Sequence, residues 1–532
     1  MSGKGRLLLL AALGAGVFLV GVELMVTAVA LPSIVADLAD WTRLREASWI
    51  VNGYLVAYIA VMPLAGRAAD RFNVPALFGG SLVIFAVASV AAGAAPNLET
   101  LIGARVVQGL GAGAVVPLAT AGASLAFDGA ARARAIGVVG ALTFLGMAAG
   151  PFLGAAVLNN FDIPATNASM AGLVTPSWRW IFYLAVPVAL LAVIYTWAAA
   201  GSWPAHEARS SLDVVGALLF TTWVAAGLLM LTTVTELASN TPLLAGAVAA
   251  GAVVAWILWT LRTKEPFIDL RLFRDRTFSG AVLLSLLTGY ALATAIIGGA
   301  VFVDRVRYGL ADEQQLVLGS LALSVALGAV GSGFLIRRLG VVLPSLVGLV
   351  ASIAGLWWLS SANATTPIEL FVYGLALFGF GFGLTVTARS AAALEAVGRR
   401  AFGLASGVVT VARMLGMAIG LATLTVLGSN RIEALSVVLV DQAARDTVLP
   451  PHLRGRPLEN SLVVDALETW AANEAATILS MLFLVAAAVT AVAIVPTLAM
   501  RNRPAARGDA GARTEEMATD DLGEASRAGI AI

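Results

Sequence analysis

Fourteen stretches of this sequence are apolar for long enough to cross a bilayer, and that constrains everything else. They fall at about 7–31, 48–66, 75–95, 98–124, 135–158, 179–200, 213–235, 242–261, 279–303, 315–336, 341–360, 368–388, 402–428 and 475–499. A helical span needs about 20 apolar residues, because a rise of 1.5 Å per residue must match a hydrocarbon core of roughly 30 Å. No water inside that core can satisfy the backbone, so each run reads as a helix. The expected class is an all-α polytopic membrane protein with fourteen transmembrane helices. Composition agrees: 59% of residues are hydrophobic and 12% charged, against about 25% charged in a soluble domain.

The same composition excludes several functions. A net charge of +1 gives no bulk field for a nucleic-acid partner. The absence of cysteine removes disulfides, thiol nucleophiles and thiolate metal sites. His206 and His452 lie far apart in polar segments, so no metal site is expected. No nucleophile–base pair or phosphate loop falls in the spans, so neither an enzyme nor a bound cofactor is expected. Lys4 and Arg6 precede a first run too long for a cleaved leader.

An even number of spans puts both termini on one side. Loops on that side hold most of the lysines and arginines, among them Lys4, Arg6, Arg67, Arg71, Arg132, Arg134, Arg262, Lys264, Arg337, Arg338 and Arg389. The bias predicts a multi-pass protein of the bacterial inner (cell) membrane with both termini cytoplasmic. Polar segments 201–211 and 264–278 bracket spans seven and eight, which read as a pair inserted between two bundles of six. The expected organisation is an N-terminal bundle over 1–200, linker spans and connections over 201–277, and a C-terminal bundle over 278–500. The tail, 501–532, is polar and expected to be disordered. Before the last span, residues 429–474 predict an external helical arm. Ile432, Leu435, Val438, Ala443 and Val448 recur at helical spacing up to Pro450, and 462–476 read as a helix running into the membrane.

Three charges read as lying well inside spans: Glu23, Arg105 and Arg413. An ionised group in hydrocarbon costs several kcal/mol and marks a functional site with a partner to be named. Arg105 shares a helix face with Gln108, Gly109 and Ala112. Arg413 sits roughly 15 Å into its span. Burial disfavours an ionised carboxylate and a neighbouring arginine favours it. A conformational change that brings Glu23 to an arginine, or takes it away, would therefore release or bind a proton. Arg413 is the expected partner and Arg105 the rival. The inferred cavity faces, with Trp49, Phe144, Phe378, Phe380 and Phe382, are apolar or aromatic and suit a lipophilic substrate.

Two motifs complete the inventory. GRAADRF (66–72) joins spans two and three: Gly66 would allow close helix approach, Asp70 would accept hydrogen bonds from a neighbouring helix N-terminus, and Arg71 would pair with an acid, together forming a conformational gate. GMAAGPFLGAAV (146–157) spaces Gly146, Gly150 and Gly154 four apart, with Pro151 in mid-helix. Small residues at that spacing let helices pack backbone to backbone.

These motifs carry a family resemblance. GRAADRF resembles the loop motif between spans two and three of major facilitator transporters, LIGARVVQGLGAG (101–113) their fourth-span arginine motif, and GMAAGPFLG their fifth-span antiporter motif. WRWIFYLAVP (178–187) and PFIDLRLF (266–273) are similar to segments of the 14-span drug:proton antiporter group. Residues 47–72 and 408–420 and the arm are similar to the mycobacterial triacylglyceride exporters, a type also described as multidrug efflux pumps. The resemblance implies the major facilitator fold, two six-helix bundles plus two extra spans, working by alternating access. It implies proton-coupled export of a lipophilic substrate, with the proton gradient as energy source, coupling at Glu23 and Arg413, and a periplasmic lipid-carrier lipoprotein as partner. A multidrug efflux antiporter is the alternative, and a non-transporting membrane receptor or scaffold a further one. The chain departs from the pattern at Asn73-Val74-Pro75, where the family has Gly-Arg-Arg/Lys, and at Phe144, where the exporters carry a glutamate. It also has only ANATTPIE (362–369) where they carry an external insertion.

Overall fold

The computed structural model describes residues 3–39, 43–127, 129–161, 172–199, 213–234, 239–266, 268–397, 402–457 and 460–501. Fourteen helices among them are long and apolar enough to cross a membrane. They are α1 (Gly3–Leu38), α2 (Trp49–Arg71), α3 (Val74–Gly93), α4 (Leu98–Ala126), α5 (Gly129–Asn160), α6 (Arg179–Ala198), α7 (Val214–Thr233), α8 (Thr241–Arg262), α9 (Arg276–Val301), α10 (Ala311–Leu339), α11 (Val342–Ser360), α12 (Ile368–Val397), α13 (Phe402–Val440) and α14 (Ser461–Val492).

Polar residues in the connections start several of them. A side-chain oxygen at the N-cap satisfies an amide that the first turn leaves free. Asn97 Oδ1 accepts from Thr100 N at 2.8 Å and Asp213 Oδ1 from Gly216 N at 2.8 Å. Asp275 Oδ1 accepts from Thr277 N and Phe278 N. Asn73 caps α3 by accepting from Ala76 N, with Pro75 in the first turn. The Asn-Val-Pro departure in the loop motif is therefore a helix start.

The packing repeats. Helix α1 lies along α5, α2 along α4, and α3 along α4 and α6. In the second half α9 lies along α13, α10 along α12, and α11 along α12 and α14. The first and fifth, second and fourth, third and fourth, and third and sixth helices of each six are thus paired alike, as expected for two parallel repeats about an axis normal to the membrane. The halves meet where α5 packs on α10, α2 on α13, and α1 on α9. At the first of these seams Asn159 Nδ2 donates to Asp312 Oδ1 at 2.6 Å. Helices α7 and α8 pack on each other, and α7 covers the α2–α13 seam from outside.

Two boundaries differ from the sequence reading. Helix α12 continues nine residues beyond the expected end at 388, to Val397, so Arg389 lies within the helix and is 1% exposed instead of standing in a loop. In the arm, α13 stops at Val440. Asp441 is extended and caps a short helix, Gln442–Val448, through Ala443 N. The arm is therefore a helix with a folded-back cap. Val438, Leu449, Leu453, Val463 and Leu467 form its own small apolar core. The tail beyond Arg501 lies outside the described residues.

Candidate functional site

Helix α1, which carries Glu23, is set against α5 by the glycine ladder. A Cβ at Gly146 would strike the Phe18 carbonyl oxygen, and one at Gly150 would come within 2.7 Å of Met25 Cβ and 2.9 Å of Val22 O. At Gly154 it would crowd Val26 and Val29 at 3.2–3.3 Å. Pro151 is buried in the same stretch. Small residues here let the α1 backbone lie close to α5, and Glu23 then has nowhere to turn but inward.

Its carboxylate meets Arg105. Glu23 lies roughly 30 Å along α1 from Gly3 and Arg105 roughly 10 Å along α4 from Leu98, entering from the opposite side, so both reach the half of the bundle away from the termini. Arg105 Nη1 donates to Glu23 Oε1 at 2.5 Å, with side-chain exposures of 2% and 1%. Thr27 Oγ1 donates to the same Oε1 at 3.2 Å. The guanidinium is held further: the same Nη1 donates to Gln108 Oε1, and Nε to the Ile50 carbonyl at 3.1 Å. Gln108 Nε2 in turn donates to Ser89 Oγ at 2.9 Å. The Tyr54 ring centroid lies 4.2 Å from Arg105 Cζ. Such an arrangement neutralises two charges that would each be costly alone.

In this conformation the carboxylate is thus held by Arg105 rather than Arg413. Arg413 lies only about 16 Å along α13 from Phe402, nearer the terminal side. Helix α13 packs there on α2, which carries Tyr58, and on α12, which carries Arg389. The helix-face pattern within one span identifies which residues share a face. It does not identify the height at which another helix presents its partner.

Two tyrosines that the sequence reading passed over lie between these centres. Tyr54 and Tyr58, one turn apart on α2, have ring centroids 5.9 Å apart. Tyr54 touches Arg105, and Tyr58 faces Arg413. Both are held by close approach of α4, where Gly109 and Gly113 lie against the carbonyls of Tyr54 and Tyr58. Tyr54 Oη and both amide atoms of Asn52 are enclosed without a hydrogen-bond partner among the described residues. A cavity of about 30 Å³ opens beside Arg105, lined also by Thr27, Tyr54, Ile296, Ile297 and Met417. It joins α1, α2 and α4 of one half to α9 and α13 of the other and has room for water.

Other motif residues have separate places. Arg179 of the WRW segment donates to the carbonyls of Gly93 and Ala95 at 2.9 and 2.7 Å and pairs with Asp37 at 3.5 Å, stapling the end of α3 to α1 and α6. No described atom lies within 4 Å of a Cβ placed on Gly66, so no close approach is made there among the described residues. The side chains of Asp70, Arg71 and Phe144 lie outside the described residues. Phe378 and Phe382 are buried, whereas Phe380 is 42% exposed.

Residues 13–421 match the family described as Major Facilitator Superfamily. The chain belongs to that superfamily. It is a membrane transporter, not an enzyme, with the major facilitator fold in its fourteen-helix form. A triacylglyceride transporter of Mycolicibacterium smegmatis is 30% identical over 471 residues, covering 84% of this chain and 80% of that protein. The multidrug resistance protein Stp of Mycobacterium tuberculosis is 29% identical, covering 84% and 80%. The multidrug transporter protein MdtP of Bacillus subtilis is 25% identical, covering 86% and 80%. Among solved structures, a bacterial homolog to the human lysosomal transporter Spinster superposes with a TM-score of 0.65 at 17% identity, over 95% of this chain and 100% of that one. At that identity the likeness concerns the fold alone.

Proposed function

We propose that this transporter is a proton-coupled exporter of a lipophilic substrate, a triacylglyceride or related lipid, working by alternating access in the bacterial cell membrane with both termini cytoplasmic. The observation that carries the reading is the Glu23–Arg105 pair, buried in the membrane with Arg105 on the wall of the cavity between the halves. Alternating access rocks one half against the other. When Arg105 is held to Glu23 the carboxylate stays ionised. When Arg105 or its supports on α2 move away, the buried carboxylate takes a proton. The switch needs no cofactor, since the proton gradient supplies the work. Arg413 contributes from the opposite half, facing Tyr58 next to Tyr54. The Asp70–Arg71 turn acts as the gate on the terminal side.

The apolar walls around the cavity favour a lipid. So does the external arm, which gives a hydrophobic product a surface to follow towards a periplasmic lipid carrier. A second reading, efflux of small amphipathic drugs, is supported by the names of two of the relatives. Reconstitution into proteoliposomes under an imposed pH difference tests both readings. Gradient-driven movement of a fluorescent acyl lipid is expected, and movement of ethidium alone would favour the second reading. Movement of neither above protein-free vesicles would rule out both.

A further inference from the structure

The second half of the protein holds two arginines within its spans, one buried and one partly buried, with no acid among the described residues to match them. Arg389 is 1% exposed. Its Nη1 donates to Thr288 Oγ1 on α9 at 2.5 Å, and its Cζ lies 5.1 Å from the Phe382 ring centroid. Thr288 passes its own proton to the Leu284 carbonyl, so the hydroxyl is a committed acceptor for the arginine. Arg413 is partly buried, and its Nε is enclosed without a hydrogen-bond partner. Both are gathered on α9 at successive residues: Arg389 bonds to Thr288, and the Arg413 backbone lies against Gly289. No carboxylate among the described residues pairs with either. The first half differs: there Arg105 has a carboxylate partner in Glu23 and further acceptors in Gln108 and the Ile50 carbonyl.

Burying one cation beside another is costly, and removing both from water without an anion more so. The position of the pair suggests what offsets the cost. Arg413 projects from α13 towards α2, the contact between halves that must part when the halves rock. Its backbone is pressed to α9, where a Cβ on Gly289 would overlap the Arg413 carbonyl, so the side chain is aimed at the seam. Opening the seam would offer two forked donors to whatever fills it. Two guanidiniums held at neighbouring positions of α9 match the oxygens of a phosphate or carboxylate, each able to give paired charge-assisted hydrogen bonds.

We propose that Arg389 and Arg413 form the binding site for the anionic headgroup, phosphate or carboxylate, of the amphiphile this transporter carries. The proposal rests on the reading of the chain as an exporter of a lipophilic substrate and, within that reading, takes an acidic related lipid in place of the neutral triacylglyceride. The acyl chains would lie against the apolar walls while the headgroup holds the two arginines.

Equilibrium binding to the purified full chain in neutral detergent, with no proton gradient, tests this separately from coupling. The probes are NBD-labelled phosphatidic acid, an NBD-labelled fatty acid and the uncharged NBD-labelled diacylglycerol. The unaltered protein is expected to bind at least one acidic probe about tenfold or more tighter than diacylglycerol, and Arg413→Gln and Arg389→Gln should each weaken that probe by about tenfold or more while leaving diacylglycerol unchanged. Whichever acidic probe binds identifies the headgroup as phosphate or carboxylate. Equal binding of all three probes overturns the proposal, as does retention of acidic-probe binding in both variants. Displacement of the acidic probe by millimolar inorganic phosphate would assign the site to a free anion and overturn the lipid assignment. If Arg389→Gln does not fold, Arg413→Gln alone decides, checked by an unchanged elution volume. Arg413→Lys, which keeps the charge, should recover most of the binding. A protein that discriminates headgroups but fails to use a pH gradient refutes the coupling mechanism and leaves this site standing.

Discussion

Breaking the Glu23–Arg105 pair from each side in turn, and then removing both members, shows whether the two groups neutralise each other in the membrane. Removing one partner of a buried pair costs about 3–5 kcal/mol, because the other is left as an uncompensated charge. Arg105 also serves the Ile50 carbonyl and Gln108, so Arg105→Met belongs at the upper end, about 5 kcal/mol. Glu23→Leu removes one acceptor among three and belongs near about 3 kcal/mol. Independent effects would sum to about 8 kcal/mol in the double variant. An apolar pair of similar volume often replaces a buried ion pair at little cost. The double variant should therefore lose less than Arg105→Met alone, a coupling of about 3 kcal/mol or more. Equilibrium unfolding in mixed micelles of rising dodecyl sulfate content, followed by tryptophan fluorescence, measures all four corners of the cycle. Additivity to within about 0.5 kcal/mol would refute the pairing.

Gly146→Ala should destabilise the protein by about 1–3 kcal/mol, since the new Cβ would meet the Phe18 carbonyl. Gly140→Ala in the same helix, with no described atom within 4 Å, should be silent in the same unfolding measurement. Joining residue 430 to residue 474 by a short Gly-Ser turn removes the arm and its core of Val438, Leu449, Leu453, Val463 and Leu467. Lipid export should fail while dye efflux survives in cells, and equal loss of both, or of neither, would deny the arm a lipid-specific role.

The spans were legible because twenty apolar residues in a row admit few alternatives. Their ends were less so. The run to Ala388 looked finished because a charge followed it, yet Ser390-Ala391-Ala392-Ala393-Leu394 continues the helix on small apolar residues. Arg389 bonds to Thr288 on a helix distant in sequence, so its burial has no local signal. The arm's break at Asp441 was masked by apolar spacing that persists across it, although an aspartate followed by a polar residue is a plausible cap in hindsight. The candidate site divides in the same way. Glu23 stood out as an isolated charge, and the glycine ladder announced a close helix contact. The choice between Arg105 and Arg413 depended on the height at which helices from different parts of the chain meet, which periodicity does not encode. Tyr54 and Tyr58 were hidden by their own apolarity, since ring packing and a guanidinium contact demand the same residue type.

The role of Glu23 in coupling is open to one direct measurement. Glu23→Gln keeps the shape of the side chain and an acceptor for Arg105 but cannot exchange a proton at neutral pH. Proteoliposomes containing this variant should still equilibrate a fluorescent lipophilic substrate down its own gradient, as the unaltered protein does, and should no longer drive it uphill under an imposed pH difference. Undiminished uphill movement by Glu23→Gln would contradict the mechanism.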